Sequence, residues 1–208
     1  MARLPRSFFA RDVLDVSPAL LGCTVSHAGV TVRLTEVEAY AGYLQDPGSH
    51  AYRGRTPRTE PMFGPAGFTY VYFTYGMHWC LNLVTGPVGS AQAVLLRGGE
   101  VVAGADTAAL RRPGVRPRDW CRGPARLATT LGLTGADTGK DLCGPGAELV
   151  VRAAAVDGDP ARIRTGPRVG VAGPGGDVAA YPWRFWLDDE PTVSVYRPAK
   201  PRAPRAAP

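Results

Sequence analysis

Apolar residues recur at helical intervals over 8–21, where Phe9, Val13, Val16 and Leu20 fall on one side of the chain. Ser17-Pro18 reads as an N-cap followed by a first-turn proline, so this stretch is predicted as one broken helix or two short ones. Two strands follow at 21–26 and 30–39, joined around Ala28-Gly29. In the second, Val32, Leu34, Glu36 and Glu38 alternate onto one face, and Thr31, Arg33, Thr35 and Val37 onto the other. Two acids therefore end a strand on the same side of the pleat, and a pocket there would demand a partner for at least one of them. Segment 41–67 carries four glycines before Gly67 and four prolines and reads as a long loop, a length more often functional than connective. A hairpin is predicted from 68–75 and 79–84, turning at Tyr75-Gly76. Tyr70 and Tyr72 share one of its faces, Val71 and Phe73 the other. A third apolar strand covers 91–97 and ends on Arg97.

Beyond it the pattern predicts a helix at 100–112, a Pro/Arg-rich loop to 122, and a clearer helix at 123–131 with proline in its first turn. Residues 132–146 are turn-rich. Short strands are predicted at 148–152, 161–165, 184–187 and 192–196. Arg168-Val169-Gly170-Val171 places a glycine where backbone can approach a ligand closely. The expected organisation is a polar arm at 1–7, one domain at 8–196 and a disordered Pro/Ala/Arg tail at 197–208, with no internal repeat.

Composition changes this picture in four ways. At 208 residues, 45% hydrophobic and 20% charged, the chain can bury a sizeable core. No apolar run reaches membrane-span length and the N-terminus lacks a signal-peptide core, so a cytoplasmic protein is expected. Four separated cysteines and three histidines show no zinc spacing, which points to free thiols and to chemistry without a metal or other cofactor. The formal charge is +6, and 22 of the 24 basic residues are arginine. Arginine forks suit phosphate, hence nucleic acid, although GC-rich coding would raise Ala, Gly, Pro and Arg together in the same way.

Candidate chemistry concentrates in 36–82. An acid ends a strand, a loop bears Arg53, Arg55 and Arg58, and 68–82 holds six of the chain's 18 aromatics. No Gly-rich phosphate loop, nucleophile elbow or metalloprotease helix is present. A glutamate, aromatic walls and arginines suit one reaction: water attacks a carbon whose leaving group is a heteroaromatic base held between rings.

These residues resemble a known family. Glu36-x-Glu38-Ala39-Tyr40, Ser49-His50, Arg53-Gly54-x-Thr56-x-Arg58, Met62-Phe63, Tyr70-Val71-Tyr72-x-x-Tyr75-Gly76-Met77-His78 and Asn82 stand in the order and spacing of the alkyladenine (3-methyladenine) DNA glycosylases, bacterial branch. The likeness continues through Val94-Leu95-Leu96-Arg97, Gly123-Pro124, Arg168-Val169-Gly170-Val171 and Trp183-Arg184-Phe185. It implies a monofunctional, cofactor-free enzyme of base-excision repair that flips damaged purines out of double-stranded DNA and leaves abasic sites. The fold expected is mixed α/β (α+β), a single domain with a curved, mostly antiparallel sheet, surrounding helices and a projecting β-hairpin. A monomer near the bacterial nucleoid is expected.

By motif position the resemblance makes Glu38 the general base and Arg97 the holder of its water or of the target phosphate. Tyr40, His50 and Tyr72 would sandwich the base. Backbone near His50 and Val169 would read its edge, and Asn82 would refuse a normal guanine. Tyr75, with Gly76 and Met77 at the hairpin tip, would wedge into the minor groove. Arg53, Arg55 and Arg58 would contact phosphate, with Glu60 expected to weaken Arg58. Tyr70 is assigned to the core, Glu36 to a structural role, and His78 either to DNA or to packing. The alternatives are a nucleic-acid-binding module without chemistry, which has no use for Glu38, and a small-molecule nucleoside hydrolase, which has none for an exposed Tyr75.

Overall fold

A computed structural model describes residues 1–155 and 160–199. Its framework is β2 (Val30–Tyr40), an 11-residue strand used on both edges. Along one edge it pairs with β5 (Gln92–Ala103), from Thr31 opposite Ala103 to Tyr40 opposite Ala93. The other edge is shared. β1 (Thr24–His27) pairs with 30–33, then leaves, and β8 (Arg184–Leu187) takes over opposite 36–38. β3 (Thr69–Thr74) and β4 (His78–Thr85) extend the sheet beyond β5, β6 (Val150–Arg152) beyond β1, and β7 (Ile163–Gly166) beyond β8. Every one of these pairings is antiparallel. Ala28 and Gly29 both take positive φ (43° and 84°) between paired His27 and Val30, as a two-residue hairpin matched to strand twist requires.

The helices cover this sheet. The predicted 8–21 helix is two short ones, α1 (Arg6–Phe9) and α2 (Val13–Ala19). The cap of α2 is Asp12, whose side chain accepts from Leu14 N, so Ser17-Pro18 does not open a helix but lies near its end. α3 (Ala105–Arg111) and α4 (Pro124–Leu131) follow β5. α4 begins on Pro124, ends at Gly132 with φ 71°, and buries Leu127 and Leu131 in the core that holds Leu83 and Leu96. Each such fully buried leucine contributes about 1.5–3 kcal/mol. A second, smaller cluster (Ala51, Met62, Phe63, Tyr70, Val84, Ala93) seats the 41–67 loop on β3 to β5. Within that loop lie two 3-10 turns, His50–Arg53 and Glu60–Phe63. Among the described residues, no helix is long and apolar enough to cross a membrane.

Three expectations need correction. The third strand does not end at 97: β5 runs on to Ala103, and the helix starts only at Ala105. Gly98 and Gly99 are there for clearance. A Cβ on Gly98 would lie 3.0 Å from Glu36 Oε2, and one on Gly99 2.4 Å from Val32 Cγ1. The register of β2 against β5 shifts around Glu36, so the glycines sit where a bulged pair crowds together. Second, 192–196 is not a strand; it leaves a turn at 192–193 as an irregular segment clasped by Thr35 and Glu36 side chains. Third, residues 2–4 are not a free arm: Leu4 N donates to Val151 O, Ala153 N to Ala2 O, and Leu4 is buried. Of the tail expected at 197–208, residues 200–208 lie outside the described residues.

Candidate active site

Where β2 ends, the sheet opens into a cleft of about 500 Å³. β2 contributes Tyr40; β3 and β4 contribute Tyr70, Tyr72, Cys80 and Asn82; β5 contributes Leu95 and Arg97. The 41–67 loop adds His50 and Met62, α4 adds Pro124 and Ala125, and the segment 169–172 closes one side. Tyr75 and His78 stand at the mouth. Among the described residues, no three His, Cys, Asp or Glu side chains converge as a metal ion would need.

The two acids predicted to share a face do so, and both are fully buried. Glu36 is saturated. Its Oε1 accepts from Arg97 Nε (3.0 Å), Arg184 Nε (2.6 Å) and Ser194 Oγ (2.8 Å), and its Oε2 from Ser194 N (2.7 Å). Of these donors only Arg97 lines the cleft, which makes Glu36 an anchor for Arg97. Glu38 is different. Oε2 accepts from Tyr40 Oη (2.9 Å) and Arg97 Nη1 (3.3 Å), but Oε1 accepts only from Val169 N (2.7 Å), keeping one acceptor position open. Glu38 itself shows no surface; Tyr40, Arg97 and Val169, which hold it, line the cleft.

Arg97 is 6% exposed, and each of its three nitrogens has a protein partner, the third being Ser194 Oγ at 3.3 Å. Burial alone would lower its pKa, but Glu38 and Glu36 outweigh that and hold it above the usual arginine value. It bonds both acids and also lines the cleft.

The three rings predicted to hold a base line one cleft, but not as parallel plates. His50 meets Tyr72 edge-on, with centroids 4.7 Å apart and planes at 84°, and its Nδ1 lies 3.2 Å from Tyr70 Oη. His50 keeps an exposed face, but partial burial and then the Arg58 cation lower its pKa to about 4, so the ring is neutral at pH 7. Burial, with Glu38 nearby, raises the Tyr40 phenol; burial, with Cys80 nearby, raises Tyr72, so both stay protonated. Asn82 is 4% exposed and donates from Nδ2 to Tyr70 O across the β3–β4 pair.

At the hairpin tip Tyr75 is 85% exposed, with φ 52° beside Gly76 at 66°, and Met77 is also exposed. Gly76 and Met77 lie outside the cleft wall. His78 is exposed at the cleft mouth, so it is not a packed core residue. Tyr70 is buried, as assigned. The loop arginines divide. Arg53 is exposed and makes no ion pair or side-chain hydrogen bond among the described residues. Glu60 pairs with Arg55 (2.6 Å), not with Arg58. Arg58 lies 5.4 Å from the Tyr72 ring centroid.

Sequence reasoning missed the brace behind the site. Arg168 has no exposed side-chain surface; it grips Asp46 through two nitrogens (2.5 and 2.6 Å) and donates to Ala39 O and Gly175 O. Its guanidinium stacks 4.6 Å from the Tyr40 ring centroid, and the next residue supplies the N–H that holds Glu38. One cation thus ties β2, the 41–48 loop and the 169–175 segment together. Arg184 and Ser194, which grip Glu36, were missed as well.

The family model described as methylpurine-DNA glycosylase matches residues 7–191. A Frankia casuarinae protein named "Putative 3-methyladenine DNA glycosylase" is 54% identical over 206 residues, 95% of this chain and 94% of its own length. Proteins of the same name from Streptomyces avermitilis and Burkholderia lata are 52% identical (97% of this chain, 95% of theirs) and 48% identical (93% and 91%).

Proposed function

The chain belongs to the methylpurine-DNA glycosylase family, and on that premise we propose that it excises alkylated or deaminated purines extruded from duplex DNA. The enzyme is a DNA-3-methyladenine glycosylase, a hydrolase of N-glycosyl bonds. Its substrates are lesions of the 3-methyladenine, 7-methylguanine, hypoxanthine and ethenoadenine type. Residues 8–196 act as one catalytic domain, working as a monomer in the cytoplasm.

Water donates a hydrogen bond to the open position of Glu38 Oε1, its oxygen attacks C1′ of the deoxyribose, and its proton passes to Glu38. The bond from C1′ to the purine nitrogen breaks, the base leaves with the electron pair, and an abasic site remains. Tyr40, Tyr72 and His50 hold the base, each stacked ring being worth roughly 1–3 kcal/mol in single-strand binders. Asn82 and the backbone at Val169 read its edge. Tyr75, at the exposed tip, fills the gap in the duplex, and Arg53, Arg55 and Arg58 take phosphates.

The observation that carries this reading is the asymmetry of the two buried acids: of the donors to Glu36 only Arg97 lines the cleft, whereas all three donors to Glu38, from Tyr40, Arg97 and Val169, line it. A module that only bound DNA would have no use for Glu38. The test is release of free base from duplex oligonucleotides carrying hypoxanthine, ethenoadenine or 7-methylguanine, with alkali revealing the abasic strand. Binding without release from all three contradicts the proposal.

A further inference from the structure

The chain's positive charge is not spread evenly. Segment 111–126 holds six arginines (111, 112, 116, 118, 122 and 126) against one acid, Asp119, a net +5 in a chain whose formal total is +6. Structural duties account for part of it. Arg111 donates to Thr130 O and Ala28 O, and Arg122 Nε to Val193 O. Asp119 is shared among Arg116 (3.0 Å), Arg122 (3.5 Å) and Arg118 (3.7 Å), so one carboxylate faces three guanidinium groups. Arg116 and Arg118 keep 70% and 53% of their side-chain surface exposed. Arg126 is exposed and has no ion pair or side-chain hydrogen bond among the described residues. Burial and then the charge of Arg126 lower the pKa of Arg112.

The C-terminal end of this cluster borders the cleft. Arg126 follows Pro124 and Ala125, which line it, and Gly123 N donates to Arg97 O, tying the segment to the strand that carries Arg97. The 41–67 loop with its own arginines contributes different lining residues, His50 and Met62.

We propose that 116–126 is a second phosphate-binding rim, on which Arg116, Arg118 and Arg126 engage the duplex backbone flanking the extruded nucleotide. The proposal takes its partner from the glycosylase reading and adds a surface which that reading leaves without a role. Duplex DNA carries one negative charge per about 1.7 Å of axis, so a strip of partly neutralised arginines beside the cleft meets several phosphates and releases their counterions. Guanidinium forks match phosphate oxygens two at a time.

The experiment is affinity for an undamaged duplex between about 50 and 200 mM salt, measured for wild type and for Arg116→Gln/Arg118→Gln/Arg126→Gln. Losing three phosphate contacts lowers the slope of log K against log salt by about 2.7, at about 0.9 per contact. A control of equal charge loss, Arg11→Gln/Lys140→Gln/Arg152→Gln, keeps the wild-type slope. An unchanged slope in the rim variant, or an equal drop in the control, overturns the proposal. Wild-type excision is measured in parallel: absent excision defeats the glycosylase reading, whereas present excision with an unchanged rim slope defeats the rim alone.

Discussion

Replacing Arg168 with methionine keeps the length of the stem and removes the fork. Four hydrogen bonds are lost: two to Asp46, one to Ala39 O and one to Gly175 O. Asp46, with no exposed side-chain surface, keeps only Ala41 N (3.2 Å) and Gly48 N (2.8 Å). Breaking a buried pair from one side costs about 3–5 kcal/mol. The two remaining N–H donors put this case at the lower end, about 3 kcal/mol. At roughly 2–4 °C per kcal/mol for a chain of this size, Tm falls by about 6–12 °C. Arg168→Met/Asp46→Asn, which removes the stranded charge, recovers a large part of that. Thermal unfolding of both variants reads the stability. Single-turnover excision reads the site, where a misplaced Val169 N–H and Tyr40 ring lower the rate by about 10²-fold. A Tm loss under about 3 °C, or a double variant no better than the single, refutes the brace.

Further outcomes test other parts of the site. Tyr75→Ala leaves Tm unchanged, because the side chain is 85% exposed, and lowers excision of well-paired lesions more than of mismatched ones; equal losses contradict a wedge. His50 titrates at about 4 in the folded chain, lowered by burial and then by Arg58, against about 6.5 unfolded. Between those values the unfolded chain binds the proton that the folded chain refuses, so stability falls as pH drops from about 6.5 to about 4 and ignores this group above that window. His50→Gln therefore flattens Tm against pH there, and an unchanged profile refutes the assignment. Gly98→Ala drives a Cβ to 3.0 Å from both Glu36 Oε2 and Thr192 O, and is expected to cost about 1–3 kcal/mol in denaturant melts; a neutral result contradicts the clearance argument.

The sheet was legible where local pattern and tertiary need agree. Alternation through β2 put Glu36 and Glu38 on one face, and Tyr75-Gly76 marked the hairpin tip through its left-handed backbone. Gly98-Gly99 misled because two glycines before an acid look like a strand end and a helix start. Their function, making room for Glu36 and Val32 on a neighbouring strand, is visible only once the strands are paired. Family resemblance named the residues around Glu38 but not what holds them. Asp46 and Arg168 are 122 positions apart, and Glu36 and Ser194 are 158 apart. No local periodicity encodes such a pairing. A buried arginine looks like a surface one until its acid is found. Glu60 stood near both Arg55 and Arg58 in sequence, and only side-chain geometry assigned it to Arg55.

The central claim is that Glu38 is the base and Glu36 its scaffold. Single-turnover excision of hypoxanthine from duplex DNA by Glu38→Gln, with binding of the same duplex measured alongside, addresses it directly. The account requires binding to persist and the rate to fall by about 10²–10⁴-fold, the usual contribution of a general base. Excision at the wild-type rate by Glu38→Gln would contradict it.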